Sequence, residues 1–256
     1  MEHEIHKESK KTHHFSGDMS KYLIIHYATE IVNKIKERLS NLRKVENKRF
    51  DIWIGMYKGK DVTVVLTNMT SGNTAIIVDQ AIQQGAEYVF QLGTFGALQD
   101  NIEVGDIYLI SGAVRAEGLT DAYAPMYYPA VPDSGLLYKF LKIAEKENLK
   151  IESGIVHSVN IYSPYYKTTF NQDKYSPEVY RNLNVVGVEM EVSSAYICSS
   201  TKGVKALAVL VCNRNWKTQK EFMEGKKVDW KKGKDDVYKA HDKVIDCVLE
   251  TVSQLD

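Results

Sequence analysis

Cysteine is scarce in this chain, proline nearly as scarce, and neither sign of charge prevails. The three cysteines, Cys198, Cys212 and Cys247, lie in apolar surroundings at spacings unlike those of a metal site. Reduced, buried thiols are therefore expected, rather than disulfides or zinc ligands. Thirty-three basic and thirty-three acidic side chains cancel, which removes the electrostatic case for a nucleic-acid or membrane partner. No apolar run approaches the roughly 20 residues of a membrane span. The N-terminus is charged rather than signal-like, so a cytoplasmic protein is expected. The five prolines form no linker, no internal repeat is evident, and no G-x-G-x-x-G signature supports a dinucleotide site.

What is present reads as alternating strands and helices. The first 20 residues are polar and expected to be irregular. From residue 21 to residue 256 a single domain is expected. "YLIIHYA" predicts a strand, and "TEIVNKIKERLSNL" a helix after it. "FDIWIGMY" and "DVTVVLTNM" predict a hairpin turning at Gly59. "SGNTAIIVDQAIQQG" predicts a helix stopping at Gly85. "AEYVFQLGTFGAL" predicts a strand entering a glycine-containing loop, and "VKALAVLVCN" a strand buried on both faces. The last helix shows Val237, His241, Ile245, Val248 and Val252 at helical spacing. This alternation predicts a three-layer α/β/α fold with a central mixed sheet. From Lys217 to Lys239 the chain carries eight lysines and five acids. It reads as a solvated surface loop, with a lid over a site as the sharper alternative.

In α/β sheets, ligands bind beyond the carboxyl ends of strands, and four predicted ends carry unusual residues. At the first, Gly93 and Gly96 permit close backbone approach and Thr94 offers a hydroxyl; a plain tight turn fits equally. At the second, "VVGVEMEVSSAY" places Glu189 and Glu191 around Met190 where a strand meets a helix. Two carboxylates at i and i+2 share a direction on an extended chain and can accept from a vicinal diol. A soft Met190 can cover a sugar or base face. A helix N-terminus that simply favours acids is the plainer reading. At the third, Asn213 and Arg214 follow the most apolar strand. At the fourth, "HSVNIYSPYY" supplies Asn160, Tyr162, Tyr165 and Tyr166, whose rings can stack on a heterocycle or pack at a core edge. His157 and His241 lie in periodic apolar segments and read as core or interface residues. His13 and His14 lie in the polar tail. No metal-ligand spacing is evident.

Together these stretches resemble the nucleoside phosphorylase superfamily, and most closely its uridine phosphorylases. The resemblance runs from about Tyr22 to the last helix. It rests on "LGTFGAL", "VGDIYL", "AVRAEG", "YYPAVPD", "VEMEVSSAY" and "NRNWKTQKE". It implies cleavage of a ribonucleoside by inorganic phosphate as co-substrate, giving free base and ribose 1-phosphate, with no other cofactor. It assigns catalysis to Glu191, Asn213 and Arg214. It assigns ribose binding to Glu189, Met190, Glu191, Thr94 and His14, the last reaching a neighbouring subunit. Tyr162, Tyr166, Thr168, Gly96 and Phe95 fall at the base. Gln91, Thr94, Lys48 and Arg49 fall at the phosphate, the lysine or its neighbour lent across a dimer. A dimer-built homo-oligomer, hexameric in the uridine branch, is implied, and Arg49 in place of a potassium-binding Glu implies no metal.

The chain departs from the family mainly at the phosphate. The family's G-D-P-x-R turn reads "HYATEIV", with Tyr27 for the glycine and Ile31 for the arginine. Gln91 replaces a second arginine. The glycine-rich turn "TGIGGPS" corresponds to "TNMTSGN". Asn215 to Lys217 are inserted after the Asn–Arg pair. A phosphate-independent nucleoside hydrolase and a non-catalytic nucleoside binder are the alternatives these changes leave open.

Overall fold

A computed structural model describes residues 19–161, 176–229 and 231–256. Nine strands among them form one mixed sheet in the order β2-β3-β4-β1-β5-β8-β7-β6-β9. Their bounds are β1 Tyr22–His26, β2 Ser40–Val45, β3 Asp51–Tyr57, β4 Lys60–Leu66, β5 Tyr88–Ala97, β6 Ile107–Arg115, β7 Glu152–Ser158, β8 Gly187–Glu189 and β9 Lys205–Arg214. The helices are α1 Thr29–Glu37, α2 Ser71–Gln83, α3 Ser134–Lys146, α4 Pro177–Asn182, α5 Val192–Ser200, α6 Trp216–Met223 and α7 Lys234–Ser253.

Alternation along the central strands creates two apolar faces, because successive side chains point to opposite sides. Ala206, Ala208, Leu210 and Cys212 of β9 join Val78 of α2 and Ile197 of α5 on one side. Leu207, Val209 and Val211 join Ile35 of α1, Phe140 of α3 and Val248 of α7 on the other. The result is the expected three-layer α/β/α arrangement. All three cysteines are buried and unpaired.

The sheet is not open along its whole width. Because β5 pairs with both β8 and β9, the strands β5, β8, β7, β6 and β9 close into a ring. Closure brings backbones together where a side chain would obstruct them. A Cβ added to Gly187 would lie 2.2 Å from Phe95 Cδ2 and 2.7 Å from the Gly96 carbonyl oxygen.

Three predicted elements differ from those observed. "LGTFGA" is not a loop: β5 continues through Gly93, Thr94 and Gly96 to Ala97, paired with β9 as far as Arg214. The helix expected over "TEIVNKIKERLSNL" stops at Glu37. Ser40–Val45 instead forms an exposed edge strand on β3, after Leu39 seats against Gly55. The lysine-rich segment is not simply a solvated loop. Asn215 Oδ1 caps α6 by accepting from the Thr218 N–H (3.1 Å), and Gln219 is buried. The hairpin at Gly59 is as expected: β3 and β4 pair from Asp51↔Leu66 to Tyr57↔Lys60, with Lys58 and Gly59 both at positive φ. Among the described residues no helix is long and apolar enough to cross a membrane.

Gly187→Ala tests the closure. Overpacking against Phe95 and the β5 backbone is expected to cost about 1–3 kcal/mol, read as a lower urea midpoint. An unchanged midpoint would mean that the ring is not closed at this point.

Candidate functional site

The ends of β1, β5, β8 and β9 surround a cavity of ≈ 400 Å³. Its wall includes Thr94, Phe95 and Gly96 from β5, Glu189, Met190 and Glu191 after β8, and Asn213 and Arg214 from β9. His26, Tyr27, Ile31 and His241 complete another side.

The turn between β8 and α5 explains how two acids tolerate burial. Glu189 is 5% exposed and Glu191 4%. Glu189 Oε2 accepts from the backbone N–H groups of Glu191 (2.6 Å) and Val192 (2.7 Å). Its Oε1 accepts from the Ser158 hydroxyl, whose oxygen accepts in turn from the Ser193 N–H (3.1 Å). Glu189 and Ser158 thereby satisfy the orphan donors of the α5 N-terminus. The strand ends at Glu189, so the two carboxylates do not share the extended-chain direction expected from their spacing.

Freed from capping, Glu191 turns toward the N-terminus of α2. Its Oε1 accepts from the Thr70 N–H at 2.9 Å, while the Ser71 hydroxyl donates to the Met190 carbonyl at 2.7 Å. Thr70 has φ +140°, a conformation costly for a β-branched residue. It falls opposite a glycine of the family's turn. The strain is local to the residue whose N–H grips Glu191. An ionised carboxylate offers about four lone-pair sites, so this geometry leaves Glu191 acceptor capacity toward the cavity.

Burial raises the pKa of both acids. For Glu189, burial outweighs its three donors, and the buried Glu117 adds repulsion. For Glu191, burial acts first and the Glu189 charge second, against the Thr70 and Met190 backbone. Glu117 is itself held by the Ser193 hydroxyl (2.9 Å), the Thr120 N–H (3.1 Å) and the Thr120 hydroxyl.

Across the cavity, Thr94 Oγ1 accepts from Asn213 Nδ2 (2.8 Å) and is hydrogen-bonded to the Tyr27 hydroxyl. Behind Tyr27, His26 Nδ1 accepts from the Ala28 N–H (2.8 Å), which places the His26 proton on Nε2. That proton faces His241 Nε2 at 3.3 Å, and His241 Nδ1 is 2.9 Å from the Val237 carbonyl, to which it donates. Two neutral imidazoles satisfy this chain, and the Gly93 carbonyl is a second backbone acceptor for His241. Burial holds both pKa values below the ordinary histidine range, helped at His26 by the neighbouring ring.

Glu189, Met190, Glu191, Thr94, Gly96, Asn213 and Arg214 therefore meet at one cavity. Phe95 reaches the wall, but its ring is turned into the core against Tyr108, 5.3 Å away edge to face, and cannot stack on a base. Gly96 serves a different neighbour than expected: a Cβ there would lie 2.6 Å from Gln219 Nε2, which donates to the Ala97 carbonyl. Gln91 lies in the core rather than on the cavity wall, with Nε2 on the Leu92 carbonyl at 3.0 Å. Lys48 and Arg49 sit exposed between β2 and β3 at the sheet edge, away from this chain's own cavity. Asn160 Nδ2 donates to the Glu117 carbonyl at 2.8 Å and so braces the wall instead of lining it. His157 is buried and stacks on Tyr180 at 3.7 Å. His13, His14, Tyr162, Tyr165, Tyr166 and Thr168 lie outside the described residues. His26, Thr70 and Gln219 were not anticipated as site residues. The histidine ending an otherwise apolar "YLIIH" was the available signal for the first.

The raised acid pKa has a stability consequence with a definite sign. A folded state that binds the Glu191 proton more tightly than the unfolded chain, whose value is near 4.5, gains from it at low pH. That gain is lost as pH rises through the folded pKa. Glu191→Gln is expected to become progressively more stable relative to wild type between roughly pH 5 and pH 8, by up to about 1.4 kcal/mol per pH unit. Urea melts at several pH values read this. Parallel curves would show that Glu191 is not the strained acid.

Comparison with known proteins gives a consistent picture. A family model described as the phosphorylase superfamily matches residues 24–235. A guanosine phosphorylase of Halorubrum lacusprofundi is 28% identical over 200 residues, covering 78% of this chain and 80% of that protein. A uridine phosphorylase of Haemophilus influenzae is 30% identical over 202 residues, covering 74% and 78%. The crystal structure of uridine phosphorylase from Vibrio fischeri shares the fold, with a TM-score of 0.79 at 24% identity over 93% of each chain. The match spans all four strand ends that build the cavity, and the chain belongs to the phosphorylase superfamily.

Proposed function

We propose that this protein is a nucleoside phosphorylase of the uridine-cleaving kind, acting on a ribonucleoside with inorganic phosphate. The observation that carries the reading is the buried Glu191 carboxylate on the cavity wall, fixed on one side by the Thr70 N–H and backed by Met190. A carboxylate with spare lone pairs accepts from the 2′ and 3′ hydroxyls together. Met190 covers the sugar face. Holding the pentose in this way limits its freedom at C1′; hydroxyls donating to Glu191 favour its ionised form against burial, and that negative charge stabilises the oxocarbenium-like transition state. A phosphate oxygen bonds to C1′ as the C1′–N bond breaks, and the base leaves with the electron pair and takes up a proton.

The base side favours a pyrimidine. Asn213 is neutral, and one of its two Nδ2 N–H groups donates to Thr94. An amide has no acidic proton to give to a purine nitrogen, so the leaving charge must be spread onto the base's own carbonyl oxygens. Arg214, beside it on the wall, is the cation placed to receive that charge. Relatives named for uridine and for guanosine cleavage both match the chain, so the base is the finer part of this reading. Lys48 or its neighbour Arg49, with one of His13 and His14, acts in this reading from a neighbouring subunit of a homo-oligomer.

The test is a nucleoside panel incubated with and without phosphate. Free base and ribose 1-phosphate are expected only with phosphate, and from uridine before guanosine. Base release without phosphate would replace the reading with a hydrolase, which the apolar Ile31 at the position of a family arginine would then explain. Binding with no release would leave a nucleoside binder. Glu191→Ala is expected to lower kcat/KM by about 100-fold or more, the loss of two charge-assisted hydrogen bonds.

A further inference from the structure

We propose that Lys232 and Lys234 hold the phosphate co-substrate, replacing the arginines this chain lacks. The inference rests on the phosphorylase reading above and assigns its anion site.

The cavity side formed by His26, Tyr27, Ala28 and Ile31 is short of positive charge. Ile31 is apolar and 1% exposed, and Gln91 is sealed in the core. Burial disfavours charge on the paired histidines, whose Nε2 atoms face each other at 3.3 Å. A dianion placed there needs cations within a few ångströms. Among the described lining residues, the permanently charged cations are Arg214, Lys232 and Lys234. Arg214 ends β9 next to Asn213, on the Thr94 side. The two lysines come from the lysine-rich segment and open α7, whose Val237, Tyr238 and His241 also line the cavity.

The turn that carries them is fixed. Gly233 stands between the two lysines at φ +82°, and a Cβ there would lie 2.6 Å from Val104 Cγ1. Its carbonyl accepts from the N–H groups of Asp236 and Val237, both at 3.1 Å, which starts α7. Only glycine fits both the backbone angle and the contact, so the lysines flank a pinned point. Neither ammonium is in an ion pair among the described residues. Lys234 hydrogen-bonds the Tyr238 side chain and lies 5.1 Å from its ring centroid, with Glu30 and Asp235 adding weaker negative charge to its surroundings. Those groups favour its protonated form, and the side chain stays exposed on the cavity wall. Lysine acts on phosphate as a point charge rather than a fork, so binding through this pair is sensitive to salt.

The experiment compares wild type, Lys232→Gln/Lys234→Gln and Lys232→Arg/Lys234→Arg. Initial rates are measured against phosphate and against nucleoside, together with the rise in Tm caused by inorganic phosphate alone. The glutamine pair is expected to raise the phosphate KM about tenfold or more, leave the nucleoside KM within about twofold, and abolish the phosphate-induced rise in Tm. The arginine pair is expected to restore all three. Wild-type phosphate KM is expected to climb with added KCl, and that of the glutamine pair to respond little. An unchanged phosphate KM and Tm response in the glutamine pair would overturn the assignment while leaving the phosphorylase reading intact. Phosphate-independent base release by wild type would instead overturn the phosphorylase reading, and this assignment with it.

Discussion

Two carboxylates buried where β8 meets α5 set the terms for the rest of this site. An unpaired buried carboxylate is untenable, and the fold answers for each acid differently. Glu189 is spent on structure: it takes the first N–H groups of α5, and Ser158 links it to the next. Glu191 is left with the Thr70 N–H and a cavity. The division of labour follows from where the strand stops. Had β8 continued two residues further, both side chains would face the same way and the helix would lose its cap.

The same turn ties three elements together. Thr70 and Ser71 open α2, and both bond to the Met190–Glu191 stretch. Ser158 ends β7 and Ser193 belongs to α5, and through them Glu189 is linked to Glu117. Closure of β5, β8, β7, β6 and β9 places these ends beside Thr94 and Asn213. The cavity is therefore a consequence of strand pairing, with the Glu191 carboxylate on one wall and the apolar Ile31 on another.

Much of the architecture was legible because its signals are local. The continuous apolar run in "VKALAVLVCN", helical spacing in the last helix and the glycine turn at residue 59 each dictate one element. Errors arose where tertiary contact overrides local pattern. Glycines in "LGTFGA" read as a loop, yet β9 and β8 on either side hold them in β5. Ser40 to Leu42 read as the end of a helix, yet the β3 edge recruits them into β2. The Glu–Met–Glu and Asn–Arg stretches named several cavity residues through the family resemblance; spacing alone read the acids as a helix N-terminus. His26, Thr70 and Gln219 were hidden for a different cause. Each matters through a partner distant in sequence: His241, Glu191 and Gly96 respectively. Phe95 and Gln91 sit in strand β5, where alternation sends one ring and one amide inward.

The central claim is that the Glu191 carboxylate accepts both hydroxyls of a bound pentose. Calorimetric titration of uridine and its 2′,3′-dideoxy analogue into wild type and Glu191→Gln, in the absence of phosphate, measures that coupling directly. The account predicts that wild type binds uridine at least about 100-fold more tightly than the dideoxy compound, and that the variant nearly abolishes the difference. Equal discrimination by both proteins would contradict it.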